Sequence, residues 1–540
     1  MRNPTRRAAL ALVTLLLAGP ALAQVPNPPE TPPLAEPRSG IPVTTPTPAP
    51  TPARPSQEEV QASLDAIGAA DTRRLLSDRT YAGELLGHLD RIAPYMSDDA
   101  TAAVAVRNLR LLSLITLNRP ADGGPIIDQI VASRPNDPGQ YAAAWLAALT
   151  FRDWARAVAV IETASRSVPG VRWADLRALL DRQTVSGLLF ELKNEAGNAN
   201  RVRLADALFR IGWPGGGDSE SGDFVRAILL EDRLAAGDVA AARLYADGIT
   251  SLSSTVPVLV GRRYDPALPA DADRMALLRA AIEREDRTTR DALAAQPADP
   301  RRLLDRAQHL RSLARHAEAL ALLRPHLADV PAMAANGEYG IWVVNEAVFA
   351  MAALGRYDDA VALMDRVAAL PVADNPSLIS LRINHLELLW EAGRHEEALR
   401  RATALDPDAI RFASDFGRMW IAAARVCALA SLNRPGEAAP QIARLRELSE
   451  VNPAALGRAY LCLGDEAAAS ALMVHRLQAA DPDLAILVLQ DYSLEAPRGA
   501  SATLAARLAS LRERPEVRAA FERVGRRMTL PLARIYYGDY

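Results

Sequence analysis

Leu354-Gly355-Arg356-Tyr357-Asp358-Asp359-Ala360 and Ala392-Gly393-Arg394-His395-Glu396-Glu397-Ala398 are one phrase written twice, each copy opening a stretch of helical apolar periodicity. Helix-hairpin geometry accounts for the phrase. A small residue closes the turn after a first helix, and an alanine five residues on lets the second helix pack close against it. About seven residues later another position faces inward, and a proline follows where the second helix stops. The marks are Gly355, Ala360, Val367 and Pro371 in one copy, and Gly393, Ala398, Leu405 and Pro407 in the next.

Weaker copies extend from about residue 100 to 480. Ala314, Ala319, His326 and Pro331 keep the spacing without the glycine, and Asn433 with Ala438 and Leu445, Gly464 with Ala469, and Gly237 with Ala242 continue it. Trp154, Ala157, Ala164 and Pro169 form a copy nearer the N-terminus, and Asn118, Ile127, Ile130 and Pro135 another. The pattern predicts an all-α chain of stacked hairpins, which grows by adding units without needing separate cores.

The pattern resembles the tetratricopeptide-repeat family, most closely over residues 342–407. That resemblance implies a right-handed α-solenoid of helix-turn-helix units. The turn positions 314, 355, 393 and 433 step by 41, 38 and 40, longer than the family's unit of about 34 residues. Either the turns between hairpins are extended or the hairpins belong to a divergent relative such as the Sel1-like solenoids.

Residues 1–23 read as a signal peptide: Arg2, Arg6 and Arg7 precede an apolar run over 8–18, and Ala21-Leu22-Ala23 supplies a small-x-small cleavage site before Gln24. A periplasmic or secreted location is expected, with the cut after Ala23. No later stretch is apolar for the roughly 20 residues that a membrane helix needs. Residues 24–55 form a proline-rich linker; 12 of the 38 prolines fall within 25–55, which keeps that stretch extended and solvated. Ser56 and Glu59 have capping-box spacing, so folding is expected to begin there. The remaining chain is divided into a divergent helical-repeat segment (56–300), the clearer repeats (301–480) and a C-terminal helical cap and tail (481–540). The least regular part is 212–269, where a joint between two segments is expected. Two helices are predicted within 502–524, with Pro515 beginning the second, and 530–540 is either a packed strip or a docking tail.

The formal charge of -3 becomes -6 once the three signal arginines are removed, and no basic stripe is interleaved with aromatics, which argues against nucleic acid as partner. Lys193 is the only lysine, so lysine-based catalysis has one candidate. The seven histidines show no metal-ligand spacing, and no metal or cofactor is expected. Cys427 and Cys462 fall on first helices of successive hairpins. They either staple neighbours or remain two buried thiols, and the second reading is preferred because sequence supplies no backbone separation.

Glu220-Ser221-Gly222-Asp223-Phe224 is the one segment that suggests an enzyme, through a resemblance to soluble lytic transglycosylases, whose catalytic glutamate precedes a serine. The glycine-rich segment expected after it is missing. The loop over 212–222 lacks a phosphate-binding ending, and neither G-x-S-x-G nor H-E-x-x-H occurs. The chain is read as a non-enzyme.

The repeat resemblance implies a concave groove formed by first helices. Its positions map to Trp342, Asn345 and Phe349 in one repeat and to Glu387, Trp390 and Glu391 in the next. Arg301, Gln308 and Arg311 flank these on one side, with Trp420 and Arg458 on the other. Aromatic anchors among mixed charges suit a protein or peptide partner in envelope assembly or export. A cell-wall glycan or exported polysaccharide is the second reading.

Overall fold

The computed structural model describes residues 56–93, 100–170, 173–194, 198–214, 219–373, 375–494 and 497–534. The expected signal peptide and proline-rich linker lie outside them. The chain divides into two compact units between Leu229 and Leu230. Both are built of helical hairpins.

The first unit opens as the sequence predicts. Ser56 caps the helix Gln57–Gly68, its hydroxyl accepting from the Glu59 amide while the Glu59 carboxylate accepts from the Ser56 amide. Leu75, Leu85, Leu89, Ile92 and Leu112 form a core among the first helices. Further along, helices Ala100–Leu117 and Pro120–Ser133 turn at Asn118, and Pro138–Thr150 and Trp154–Ser167 turn at Arg152, both residues having positive φ. Ala157 and Ala164, the small positions of that second hairpin, are fully buried.

In the second unit five hairpins follow one another: α1 (Pro300–Ser312) and α2 (His316–Leu323); α3 (Gly337–Ala353) and α4 (Tyr357–Ala368); α5 (Leu378–Glu391) and α6 (His395–Ala404); α7 (Asp415–Ser431) and α8 (Ala439–Glu447); α9 (Pro453–Leu463) and α10 (Glu466–Gln478). The repeated phrase is a hydrogen-bonded device. Ala314, Gly355, Gly393, Asn433 and Gly464 all have φ between 54° and 77°. The amide after each donates to a carbonyl five residues back: Arg315 to Leu310, Arg356 to Met351, Arg394 to Leu389, Arg434 to Leu429 and Asp465 to Tyr460, all within 3.0 Å. That six-to-one bond satisfies a carbonyl that the helix end leaves open. In the first four hairpins the arginine after the turn pairs with an acid three residues on, Glu318, Asp359, Glu397 and Glu437, which in the first three also places a negative charge in the first turn of the second helix, and in the fourth in the 3-10 turn just before it. The alanines that follow, Ala319, Ala360, Ala398, Ala438 and Ala469, are buried.

The extra length of the repeats has a local cause. Short helices Val330–Ala334 and Asp406–Phe412 are inserted between hairpins. Pro331 lies in the first turn of one and Pro407 is the second residue of the other. These prolines therefore begin a helix, whereas the sequence pattern assigned them to stopping one; a first helical turn needs no amide from them. The stretch 252–267 also departs from its irregular reading. Leu252–Val260 is helical despite Pro257, and it buries Val256, Val258, Leu259 and Val260.

The C-terminal helices occur as expected, α11 (Gly499–Glu513) and α12 (Pro515–Val524), but they do more than close the last hairpin. At the start of α11, Arg498 lies beside the Gly355 turn, Ser501 Oγ donates to Glu391 Oε1 at 2.6 Å, and Arg507 donates to the carbonyls of Leu461 and Cys462. The helix thus runs past the C-terminal ends of three first helices. Beyond it, β1 (Asp491–Tyr492) pairs in parallel with β2 (Thr529–Leu530), Gly525 bridges to Gly261, and the Ala533 amide donates to Ser312 O at 2.7 Å. The strip through 534 is packed, with Leu530 and Leu532 fully buried. Residues 535–540, with the aromatic end of the predicted tail, lie outside the described residues.

Candidate functional site

First helices alone supply the wall of a cavity of about 250 Å³ in the second unit. On α3, Trp342, Asn345, Glu346 and Phe349 recur at helical spacing and so share a face. On α5, Ile383, Asn384, Glu387 and Trp390 do the same, and on α7 Trp420, Ala424 and Cys427. Gln308 and Arg311 from α1 and Arg458 from α9 complete the wall.

Two ion pairs hold the ends. Arg311 donates through Nε and Nη2 to both oxygens of the buried Glu346, at 2.8 and 3.2 Å, and its guanidinium lies 5.3 Å from the centre of the Phe349 ring. The Arg458 guanidinium pairs with Glu387 and lies 5.2 Å from the Trp390 ring. These arginines are fixed by a carboxylate on one side and an aromatic ring on another, an arrangement the planar guanidinium suits. Because each buried charge is matched, the site carries charges with little net field.

Between the ion pairs lies an amide pair. Asn384 Nδ2 donates to Asn345 Oδ1 at 3.1 Å. Asn345 has no exposed surface, and its own Nδ2 has no acceptor. Reversing both amides would instead leave an Asn345 oxygen unfilled, so in either orientation one buried polar atom at the cavity wall lacks a partner. An uncompensated buried amide is costly, about 1–3 kcal/mol, and because Asn345 has no exposed surface a ligand could satisfy it only after the side chains around it move. Trp390 is spent structurally, its indole donating to Ser431 Oγ at 3.0 Å, while Trp342 and Trp420 remain half-buried.

Nine of the eleven sequence-derived positions meet in this cavity: Gln308, Arg311, Trp342, Asn345, Phe349, Glu387, Trp390, Trp420 and Arg458. Arg301 and Glu391 do not. Arg301 lies 5.8 Å from the Tyr339 ring near the start of α1, and Glu391 receives the Ser501 hydroxyl from α11. Glu346, Ile383, Asn384 and Ala424 also line the cavity without a sequence-based assignment, as does Cys427, which the sequence marks only as one of the two cysteines. Helical spacing could have found most of them, since Glu346 is one turn from Trp342 and Cys427 is seven residues from Trp420.

Cys427 and Cys462 are disulfide-bonded, with Cα atoms 5.0 Å apart. This corrects the preference for two free thiols: adjacent first helices come close enough there for the bridge geometry. In the one enzyme-like segment, Glu220 belongs to the helix Ser219–Ala235, its side chain lying outside the described residues, and Ser221 and Asp223 are buried. Among the described residues no group of three or more His, Cys, Asp or Glu could hold a metal ion, and no helix is long and apolar enough to cross a membrane.

No family model matches the chain, and no curated protein does. Solved structures similar to it include the crystal structure of the APC/C hetero-tetramer Cut9-Hcn1, 13% identical over 86% of this chain and 94% of that one, with a TM-score of 0.27. Another is a circular tandem repeat protein with novel repeat topology and enhanced subunit contact surfaces, 14% identical over 96% and 97% of the two chains, with a TM-score of 0.13. Superpositions that loose carry no weight for function, and the helical-repeat fold rests on the hairpins described above.

Proposed function

We propose that this protein is a non-catalytic exported scaffold that holds an extended segment of another protein across the first helices of its second unit, in cell-envelope assembly or export. The observation that carries the reading is the cavity walled by five successive first helices, which presents half-buried Trp342 and Trp420 and the exposed Gln308. A peptide offers backbone groups for the Gln308 carboxamide and side chains for the rings, and matched ion pairs at both ends tolerate a partner of either charge. The signal-like N-terminus supports export, and so does the Cys427–Cys462 bridge, since such bonds persist in oxidising compartments. A glycan is the second reading, favoured by two half-buried tryptophans beside carboxamides, a combination that also suits sugar rings and hydroxyls.

Site-specific photocrosslinking from Gln308, the exposed residue of the cavity wall, separates these readings. Peptide adducts that disappear in a Trp342→Ala, Trp420→Ala variant of unchanged helicity support the peptide reading. Glycan adducts alone transfer the site to the second. If adduct yield is the same in the variant, the cavity is not where the partner sits.

A further inference from the structure

Where the C-terminal strip returns to Gly261, five arginines converge on a second cavity, of about 340 Å³: Arg262, Arg512, Arg518, Arg526 and Arg527. Four of them have fixed positions. Arg262 Nε donates to Gly525 O at 2.9 Å. Arg526 holds both oxygens of Asp265 at 2.5 Å. Arg512 and Arg527 share Asp491 at 2.7 Å each, and Arg527 also reaches Glu513 at 2.8 Å. Only Arg518 is exposed with no side-chain partner.

The carboxylates do not balance this cluster. Asp265, Asp491, Glu513 and Glu522 face the five guanidiniums, and Asp265 is also claimed by Arg274 at 3.0 Å. Arg512 Nε, Arg526 Nε and, outside the cavity wall, Arg274 Nη1 are buried without an acceptor, so they add to the crowding of charge and are not themselves open to a ligand. Burial, followed by repulsion from Arg526, holds Arg274 below the usual guanidinium range, and burial holds Arg512 down against the pull of Asp491, with Arg527 and Arg534 adding repulsion, whereas Asp491 and Glu513 hold Arg527 above that range. Positive charge is therefore crowded, desolvated and short of acceptors in one place.

We propose that this cavity is a binding site for a phosphomonoester. A tetrahedral dianion accepts hydrogen bonds from several directions at once, which the converging arginines require and a planar monocarboxylate cannot match. The cavity is larger than a bare phosphate needs, and Leu489 and Phe521 give it an apolar side for an organic substituent. Bound there, the anion would tie Arg262 and the residues around Gly525 to α12, strengthening the closure between the C-terminal strip and the 261–262 segment. The site is separate from the cavity of the first helices and does not depend on what that cavity binds.

The test is calorimetric titration of the full-length protein in low-salt buffer with inorganic phosphate, phenyl phosphate and benzoate, alongside flotation with phosphatidate vesicles. Phenyl phosphate is expected to bind more tightly than inorganic phosphate, with benzoate weakest. Arg518→Gln, which disturbs no structural bond, should weaken phenyl phosphate about tenfold or more, the value of a charged hydrogen bond, with helicity and melting unchanged without ligand. Arg262→Gln should weaken it too and should abolish the rise in melting temperature that the ligand gives the wild type. Vesicle binding without soluble binding assigns the phosphate to a lipid headgroup. Absence of binding in every arm, benzoate binding as tightly as phenyl phosphate, or an affinity unchanged in both variants overturns the proposal.

Discussion

Cys427 and Cys462 join α7 to α9 at the level of the groove, so the covalent link between two successive hairpins stands behind the same wall that Trp420 and Arg458 form. The bridge closes a loop of 35 residues. Chain entropy removed from the unfolded state predicts about 3–4 kcal/mol of stabilisation. Reduction, or the double substitution Cys427→Ala, Cys462→Ala, should lower the urea midpoint accordingly, with non-reducing mass spectrometry reporting the bond in the starting protein. An unchanged midpoint would mean that the two helices are already fixed by packing alone.

The turn positions give opposite expectations for the same pair of residue types. Gly393 has φ +75° with open space around its missing Cβ, so Gly393→Ala meets only the left-handed backbone penalty, about 1–2 kcal/mol. Ala314 already bears that penalty at φ 54°. Ala314→Gly should therefore stabilise or be neutral, the gain being reduced by the greater freedom of glycine in the unfolded chain. Thermal unfolding of the two variants checks the sign; destabilisation by Ala314→Gly would show that the alanine methyl contributes packing that outweighs the strain.

His385 is buried on α5 with its Nε2 unbonded and 3.9 Å from Asp365. Burial, then the Arg401 charge, depresses it from 6.5 to about 4, while Asp365 and Glu397 act against this and Arg394 with it. Between those values the unfolded chain binds a proton that the folded chain does not. Stability from this group is complete above pH 6.5 and is lost as pH falls toward 4, up to about 3 kcal/mol. Imidazole NMR shifts should show His385 neutral at pH 5, and His385→Gln should flatten the acid limb of the stability curve. An imidazole that titrates near 6.5 would overturn this.

Much of the second unit was legible because its signal is short-range. Gly355, Gly393 and their alanines mark a turn and a close approach that any copy needs, and helical spacing then places Trp342, Asn345 and Phe349 on one face. What the sequence could not reveal depends on contacts between distant segments. Glu391 has the right spacing for the groove, yet α11, more than a hundred residues later, supplies Ser501 to it. The disulfide was unreadable for the same reason, since it requires a distance between two helices. Pro331 and Pro407 were misread because proline ends one helix and begins another with the same local preference.

Tyr264 Oη lies 2.7 Å from Asp483 Oδ2 and 2.9 Å from Glu231 Oε1, and it accepts from Arg263 Nη2 at 2.7 Å. A phenol has one hydrogen and two lone pairs, so with Arg263 in one lone pair it can donate to one carboxylate only. A proton on the other carboxyl would fill the remaining lone pair and complete the network. Burial accordingly raises Glu231 and Asp483 above the usual carboxylate range against the pull of Arg263, with Asp481 adding repulsion. The folded state then holds a proton that the unfolded chain has released. This contribution to stability is fully present below the ordinary carboxylate value and is lost as pH rises through the raised one. Asp483→Asn removes the charge, keeps an acceptor for Tyr264, and turns a donor toward the side where Oδ1 has no partner. Its melting temperature at pH 8 should equal or exceed the wild type's, and its margin over the wild type should shrink as the pH is lowered to 5. If Asp483→Asn melts lower at pH 8 by the same amount as at pH 5, the Arg263 ion pair outweighs the burial cost and no proton is held.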